Sequence, residues 1–321
     1  MILADRWKDY EVLDCTDGEK LERWGKYILL RPDPQVIWST RRISKEWKKL
    51  NGHYHRSNRG GGEWEFFDLP QEWQIEYRLP SSGITGSDKM TFNLKPFSFK
   101  HTGIFPEQAA NWDYIFETIK QEYISRGVLS EEDFSPGENK LVSVPEDKSI
   151  RALNLFAYTG GATVAAAMAG AKVTHVDASK GMTGWAKENA KSSGLEEAPI
   201  RWLIDDCIKF VERVIRRGNK YQVIIMDPPS YGRGPKGEMW KMEDNIFELI
   251  KLTSEILADD AIIYLINMYT TGLSPAVLNY MIAETVIKSH GGSVSSEDIG
   301  LPVRDTGLIL PCGSTARWSS K

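Results

Sequence analysis

The chain has 321 residues, 41% of them hydrophobic and 26% charged, which is ordinary for a soluble globular protein with room for one large domain and one smaller one. A net charge of −4 and a pI near 5.9 exclude a strongly basic nucleic-acid binder, although not a local basic patch. Three widely spaced cysteines, Cys15, Cys207 and Cys312, exclude a disulfide framework and a cysteine–zinc cluster; with charged residues from Asp5 onward and no apolar run of membrane length, the expectation is a cytoplasmic protein with no signal peptide and no membrane partner.

Residues 1–98 differ in composition from the rest and carry six of the eleven tryptophans. Short alternating runs at 26–30 and 73–77 read as strands, and Pro32, Pro34, Pro70 and Pro80 punctuate them. A small antiparallel β domain is expected over 1–98, with a larger domain over 99–321. Inside the first lies a basic and aromatic stretch, 38–64, with Arg41, Arg42, Lys45, Lys48, Lys49, Arg56 and Arg59 among Trp47, Tyr54 and Gly60-Gly61-Gly62. The cations suit phosphates and the aromatics suit unpaired bases; the competing reading is a solvated loop beside a tryptophan-rich core. His53 and His55 show no third partner at metal-ligand spacing, so no metal is expected.

A strand at 92–99 leads into HTGIFPEQ at 101–108, and a helix follows to about 126 with Trp112, Ile115, Phe116, Ile119 and Tyr123 on one face. Residues 127–149 form a polar connector with one short strand at 141–144. From 150 onward strands (150–156, 171–176, 199–204, 221–226, 260–267) alternate with helices (162–169, 181–193, 206–217, 243–258, 275–289). That alternation means a mostly parallel sheet covered on both faces. Two more extended runs, 292–299 and 308–317, give a closing pair with one reversed strand. The expected fold is therefore α/β, a Rossmann-like sheet of seven strands with one antiparallel, plus the small N-terminal β-rich domain.

The stretch 153–179, LNLFAYTGGATVAAAMAGAKVTHVDAS, organises this half. Strand, small-residue turn, helix, strand and acid make half of a nucleotide-binding sheet. The glycines would let backbone approach a ligand, and the helix after them points its free N–H groups at it. The turn lacks the third glycine of G-x-G-x-x-G, which weakens a pyrophosphate reading and suits S-adenosylmethionine, whose methionine end carries a carboxylate and an ammonium. Ligands in such sheets bind at the carboxyl ends of the strands. Four ends carry matching chemistry: Phe156, Ala157, Tyr158, Thr159 and Gly160 for the methionine part; Asp177, Ala178 and Ser179 for the ribose; Asp205, Asp206 and Cys207 for the adenine; and Asp227, Pro228, Pro229 and Ser230 at the substrate edge. Asp206 read alone is a helix N-cap.

These motifs, with IRWLIDDCIKF and YQVIIMDPPSYGRG, resemble the class I S-adenosylmethionine-dependent methyltransferases, and most of all the bacterial large-subunit (23S) rRNA methyltransferases that make 5-methylcytosine or N7-methylguanosine. HTGIFPEQ is similar to that branch's T-G-x-F-x-D-x-R loop, with Glu107 at the usual Asp and no Arg at 109 or 110; the resemblance adds Thr102, Gly103, Phe105 and Gln108 to the cofactor residues. It covers about 92–317. It implies S-adenosylmethionine as cofactor and RNA, rRNA first, as partner; a homodimer is left open. The first 90 residues do not resemble the RNA-binding PUA module of many relatives.

Methyl transfer from a sulfonium is an in-line displacement in which the protein aligns and desolvates. A ring nitrogen or exocyclic amine needs no covalent intermediate, and the Asp227-Pro228-Pro229-Ser230 turn can hold it while Tyr231 stacks on the base. Cytosine C5 needs a cysteine that adds to the ring, which the resembling enzymes carry just past the fifth strand. Here that segment, 265–271, is LINMYTT and has none, so a cysteine-adduct route to 5-methylcytosine is not expected and a guanine nitrogen is. Arg233, Lys236 and Trp240, in the glycine-rich loop after the fourth strand, read as a substrate-gripping lid; the bland alternative is a surface loop. The other functional readings are a methyltransferase acting on a small molecule or a protein, a non-catalytic cofactor-binding RNA-associated protein, and a nicotinamide dehydrogenase, which fails on glycine spacing.

Overall fold

The computed structural model describes residues 1–57, 61–97, 100–137, 141–233 (233 by its backbone), 239–270 and 273–320. The chain divides into two compact units, one of Met1–Arg78, Lys89–Ala110 and Ile299–Cys312, the other of Leu79–Asp88, Asn111–Asp298 and Gly313–Lys321.

In the first unit a five-stranded sheet runs in sequence order through Tyr10–Thr16, Glu19–Trp24, Tyr27–Pro32, Gly52–Arg56 and Gly62–Phe66. Neighbours are antiparallel except Tyr27–Pro32 and Gly52–Arg56, which pair in parallel through Leu29–Gly52 and Leu30–His53. Leu13, Leu21 and Leu30 form its apolar centre, with Trp47 packed on it. Charge is buried beside them. Arg31 donates to both oxygens of Glu22 at 2.6 and 2.8 Å, Tyr10 donates its hydroxyl to Glu22 at 2.6 Å, and Lys20 pairs with Asp33 at 3.1 Å. A second pair, Trp73–Arg78 with Lys89–Leu94, is antiparallel. Ile2–Leu3 pairs in parallel with Ile299–Gly300, a short strand that the sequence did not foretell.

The second unit carries the parallel sheet. Its strands are β1 (Arg151–Leu155), β2 (Lys172–Asp177), β3 (Ile200–Ile204), β4 (Val223–Met226) and β5 (Ile263–Met268), followed by β6 (Ser293–Pro302) and β7 (Ile309–Ser319), whose outer ends belong to the first unit. The order is β6-β7-β5-β4-β1-β2-β3, with β7 antiparallel to β5 and the five strands from β5 to β3 parallel. Ile2–Leu3, paired beyond β6, makes the sheet eight-stranded, one strand more than the expected seven; β7 is the reversed strand. Helices α1 (Ala109–Ser125), α2 (Gly161–Met168), α3 (Lys180–Ser192), α4 (Cys207–Arg216), α5 (Met242–Ser254) and α6 (Pro275–Ile282) fall where the apolar periodicity puts them. A π-helical segment, Ala283–Ile287, follows α6 directly. Leu153, Leu155, Val176, Ile224, Met226, Tyr264 and Ile266 fill the sheet's core with side chains of α4, α5 and α6. Trp112, Ile115, Phe116, Ile119 and Tyr123 of α1 are all buried, as their spacing predicts.

The strand expected at 141–144 does not form. The segment is irregular, and Val142 N–H donates to Ile84 O at 3.0 Å. Among the described residues no helix is long and apolar enough to cross a membrane.

Candidate active site

Register brings the strand ends together. Met226 stands opposite Leu155, Leu155 opposite Val176, and Asp177 opposite Ile204. Phe156, Asp177, Asp205 and Asp227 therefore leave four adjacent strands at one edge of the sheet. Backbone bonds lock the row: Asp227 N–H to Leu155 O at 3.4 Å, Ala157 N–H to Val176 O at 3.1 Å, and Asp205 N–H to Asp177 O at 3.0 Å.

The turn after β1 is the most constrained part of this edge. Phe156 and Tyr158 hold left-handed backbone, φ +54° and +50°, and Gly160 follows at +83°. For side chains with a Cβ this conformation is strained and persists only where neighbours impose it. They do so here. Phe156 N–H donates to Cys207 Sγ at 3.3 Å, Tyr158 N–H to Asp177 Oδ2 at 2.8 Å, and Asn189 Nδ2 donates to Thr159 O at 2.9 Å. Ser179 N–H donates to Asp177 Oδ1 at 2.8 Å, and Ser179 caps α3 by accepting from Met182 N–H. Ala178, between them, is exposed. Burial raises the Asp177 carboxyl above its ordinary value, opposed by these two backbone donors.

The two glycines serve packing where the sequence suggested ligand approach. A Cβ on Gly160 would meet Ala186 Cβ of α3 at 2.9 Å, and one on Gly161 would meet the Trp112 ring of α1 at 2.6 Å. Beneath them lies a polar chain that sequence reasoning missed. Asn154 of β1 donates to Thr163 Oγ1 of α2 at 2.9 Å, and Thr163 Oγ1 lies 2.9 Å from His175 Nδ1 of β2. His175 is fully buried, its imidazole is pushed down to about 3 by desolvation, and its ring packs against Trp202. The only sequence signal was a histidine inside an apolar strand.

The acids after β3 divide their work. Asp206 is the N-cap of α4, its Oδ1 accepting from Lys209 N–H at 2.9 Å, as its position before a helix allowed. Asp205 accepts from Asp206 N–H and pairs with Arg213 of α4. Cys207 is buried, its thiol pushed up by desolvation, and its sulfur joins the β1 tip to Val176 O of β2.

At the tip of β4 the Asp227-Pro228-Pro229-Ser230 turn is pinned from two sides. Trp240 donates its indole N–H to Pro229 O at 2.6 Å and packs against Phe156 with centroids 5.7 Å apart. Ser230 O accepts from Met242 N–H at 3.0 Å. Tyr231–Arg233 and Met239–Lys241 form a two-stranded ribbon, so Trp240 ties this loop to the β1 tip, and Tyr231 beside it is exposed. The Arg233 side chain and Lys236 lie outside the described residues.

Thr102, Gly103, Phe105 and Gln108 belong to the first unit. Thr102 is buried and its carbonyl accepts from Lys95 N–H; Gly103 takes φ +120°; Phe105 precedes a 3-10 turn, Pro106–Gln108, whose Pro106 carbonyl accepts the Trp7 indole N–H at 2.8 Å. Burial raises Glu107, at the family's usual Asp, above the ordinary carboxylate range.

The donor set in the second unit fits a nucleoside with a free diol and no phosphates. It offers a half-buried carboxylate at β2, acids at β3 and a helix N-terminus at β1, while 153–171 holds no lysine or arginine. Comparison with known proteins agrees. A family model for S-adenosylmethionine-dependent methyltransferases matches residues 142–286. The crystal structure of a SAM-dependent methyltransferase from Agrobacterium tumefaciens superposes with a TM-score of 0.82 at 30% identity, covering all of this chain and 94% of that one. The chain belongs to the S-adenosylmethionine-dependent methyltransferases. Its cofactor is S-adenosylmethionine. The methyltransferase also shares 39% identity over 113 residues with the ribosomal RNA large subunit methyltransferase K/L of Shewanella frigidimarina, 33% of this chain and 16% of that protein. With methyltransferase K of Neisseria meningitidis it shares 32% over 136 residues, 42% of this chain and 37% of that protein. The chain thus spans a sixth to about a third of the curated relatives' length.

Proposed function

We propose that this methyltransferase acts on a base nitrogen in RNA, with a guanine nitrogen of ribosomal RNA as the first candidate. The observation that carries the reading is the Asp227-Pro228-Pro229-Ser230 turn at a cofactor-type edge with no nucleophilic thiol. Cys207 is buried and its thiol raised, Cys15 is buried and raised to about 11, and Cys312 is raised by burial in the first unit. The names of the partial relatives from Shewanella and Neisseria point to rRNA.

S-adenosylmethionine supplies a methyl group on a sulfonium, a strong electrophile. Asp177 accepts from the ribose hydroxyls, the backbone of 156–160 and the N-terminus of α2 hold the methionine carboxylate, and Asp205, Asp206 and the backbone at Cys207 meet the adenine. For an exocyclic amine, the Pro228 carbonyl and Asp227 accept its two N–H bonds and leave its lone pair to attack the methyl carbon, and the Asp227 carboxylate takes the proton released; a ring nitrogen without N–H, such as N7, releases none. Tyr231 stacks on the base, and Arg233 and Lys236 supply cations for a substrate phosphate. The 1–98 region adds RNA contacts through Arg41, Lys45, Lys48, Lys49 and Arg56, all exposed. A cleft of about 570 Å³ with Lys26, Tyr27 and the exposed Phe66 and Phe67 gives unpaired bases a surface there. Such an enzyme would work in the cytoplasm.

The test is labelled methyl transfer to rRNA from a strain lacking the gene, with nucleoside mass spectrometry of the product. A methylated guanosine that is absent with Asp227→Ala is expected. Label found only in protein or small molecules of an RNA-free extract would overturn the RNA assignment.

A further inference from the structure

The first unit holds a cluster of donors that methyl transfer does not use. His53 and His55 stand two apart on Gly52–Arg56, so both rings leave the same face of the strand. Their centroids are 3.8 Å apart. The facing strand, Gly62–Phe66, sets Glu65 opposite His53 and Glu63 opposite His55, on that same face. His55 Nε2 lies 2.8 Å from Glu65 Oε2, and His53 Nε2 lies 2.9 Å from Glu19 Oε1. One ligand atom each from His53, His55 and Glu65 falls within 4.8 Å of the other two.

We propose that His53, His55 and Glu65 bind one divalent transition-metal ion of the zinc type, with water completing its coordination. Around a tetrahedral zinc with bonds of about 2.0–2.1 Å, ligand atoms lie roughly 3.4 Å apart. The ladder fixes the backbone that carries all three side chains. Two imidazole nitrogens with carboxylate oxygens select zinc, cobalt, nickel or copper over magnesium and calcium. As simple ion pairs the contacts would add little, since His55 and Glu65 are about half exposed, 48% and 52%. A single dication answers both imidazole nitrogens and the Glu65 carboxylate at once and joins Gly52–Arg56 to Gly62–Phe66. The same exposure gives the ion a path from solvent. Spacing in the sequence hid the site because the third donor comes from across the hairpin, ten residues away from His55.

The experiment uses the untagged full chain, stripped with a chelator and titrated with Zn²⁺ by calorimetry and with Co²⁺ by visible absorption. One equivalent is expected to bind, raising the melting temperature and giving the absorption bands of cobalt in a four-coordinate nitrogen–oxygen site. His53→Ala, His55→Ala and Glu65→Gln should each weaken binding by about tenfold or more, and the double histidine variant should abolish it. Melting of the metal-free variants within a few degrees of the metal-free parent shows that they fold. No saturable binding by the parent, or stoichiometric binding retained by the folded double variant, would overturn the site.

Discussion

Asp177 is the residue on which the edge turns. Its two oxygens hold the turn after β1 and the start of α3 through Tyr158 and Ser179 N–H groups, and each oxygen keeps a second lone pair for a ligand. Asp177→Asn replaces one of these acceptors with a donor facing a backbone N–H. Affinity for S-adenosylhomocysteine should fall by about 10- to 100-fold, the 1.5–3 kcal/mol typical of a bond to a charged group, as calorimetry would register. Unchanged affinity would remove Asp177 from the cofactor set. Gly161 poses a different question. Its missing Cβ makes room for Trp112, so Gly161→Ala should destabilise the fold by about 1–3 kcal/mol in denaturant titrations, and Trp112→Phe should recover part of that in the double variant. Asp177 was legible in the sequence because an acid closing an apolar run is a local pattern. The role of Gly161 was not, because Trp112 lies 49 positions earlier and nothing local announces the contact. The division between Asp205 and Asp206 was half legible: the cap follows from position, the Arg213 pairing from the turn of α4.

In the second unit the elements were legible in order and type because their apolar periods are long and regular; in the first, most of the short strands were not named individually, and the failures have physical reasons. The run at 141–144 has the composition of a strand, but among the described residues its backbone bonds only through Val142 N–H to Ile84 O, which makes no ladder. The π-helical segment after α6 leaves the apolar face nearly unchanged, so periodicity could not show it. The polar chain Asn154–Thr163–His175, which joins β1, α2 and β2, depends on side chains meeting across elements. It makes stability pH-dependent. His175 is held neutral with its pKa lowered to about 3, so between that value and the ordinary 6.5 the unfolded chain binds a proton that the folded one does not. The stabilisation is complete above 6.5 and is lost as pH falls from there toward 3. His101, also lowered to about 3 by burial and by Arg31 and Lys100, acts in the same direction. Unfolding free energy should therefore drop on going from pH 7 to pH 5. His175→Gln should flatten that dependence by about 1.4 kcal/mol per pH unit at most; an unchanged slope would mean that this imidazole titrates normally.

At the scale of the whole molecule, an acidic chain is proposed to engage a polyanion. Net charge and local charge are separate quantities, and association with RNA answers mainly to the second. The −4 of the full sequence coexists with Arg41, Lys45, Lys48, Lys49 and Arg56, exposed within sixteen positions, whereas Arg42 is turned to Asp17, Glu19 and the Trp47 ring. Lys45 and Lys48 sit on a single 3-10 turn, Lys45–Lys48, and Lys49 follows it. If these cations neutralise phosphates, binding must weaken with salt. On single strands each contact contributes about 0.7 to the slope of log K against log salt concentration. Replacing Lys45, Lys48 and Lys49 by Gln should lower that slope by about 2 and weaken RNA binding at low salt, while the affinity for S-adenosylhomocysteine stays as it is. A slope equal to the parent's would show that RNA, if bound at all, meets the chain elsewhere. A fall in cofactor affinity alongside it would mean instead that the substitutions had disturbed the fold, which the melting temperature of the variant checks.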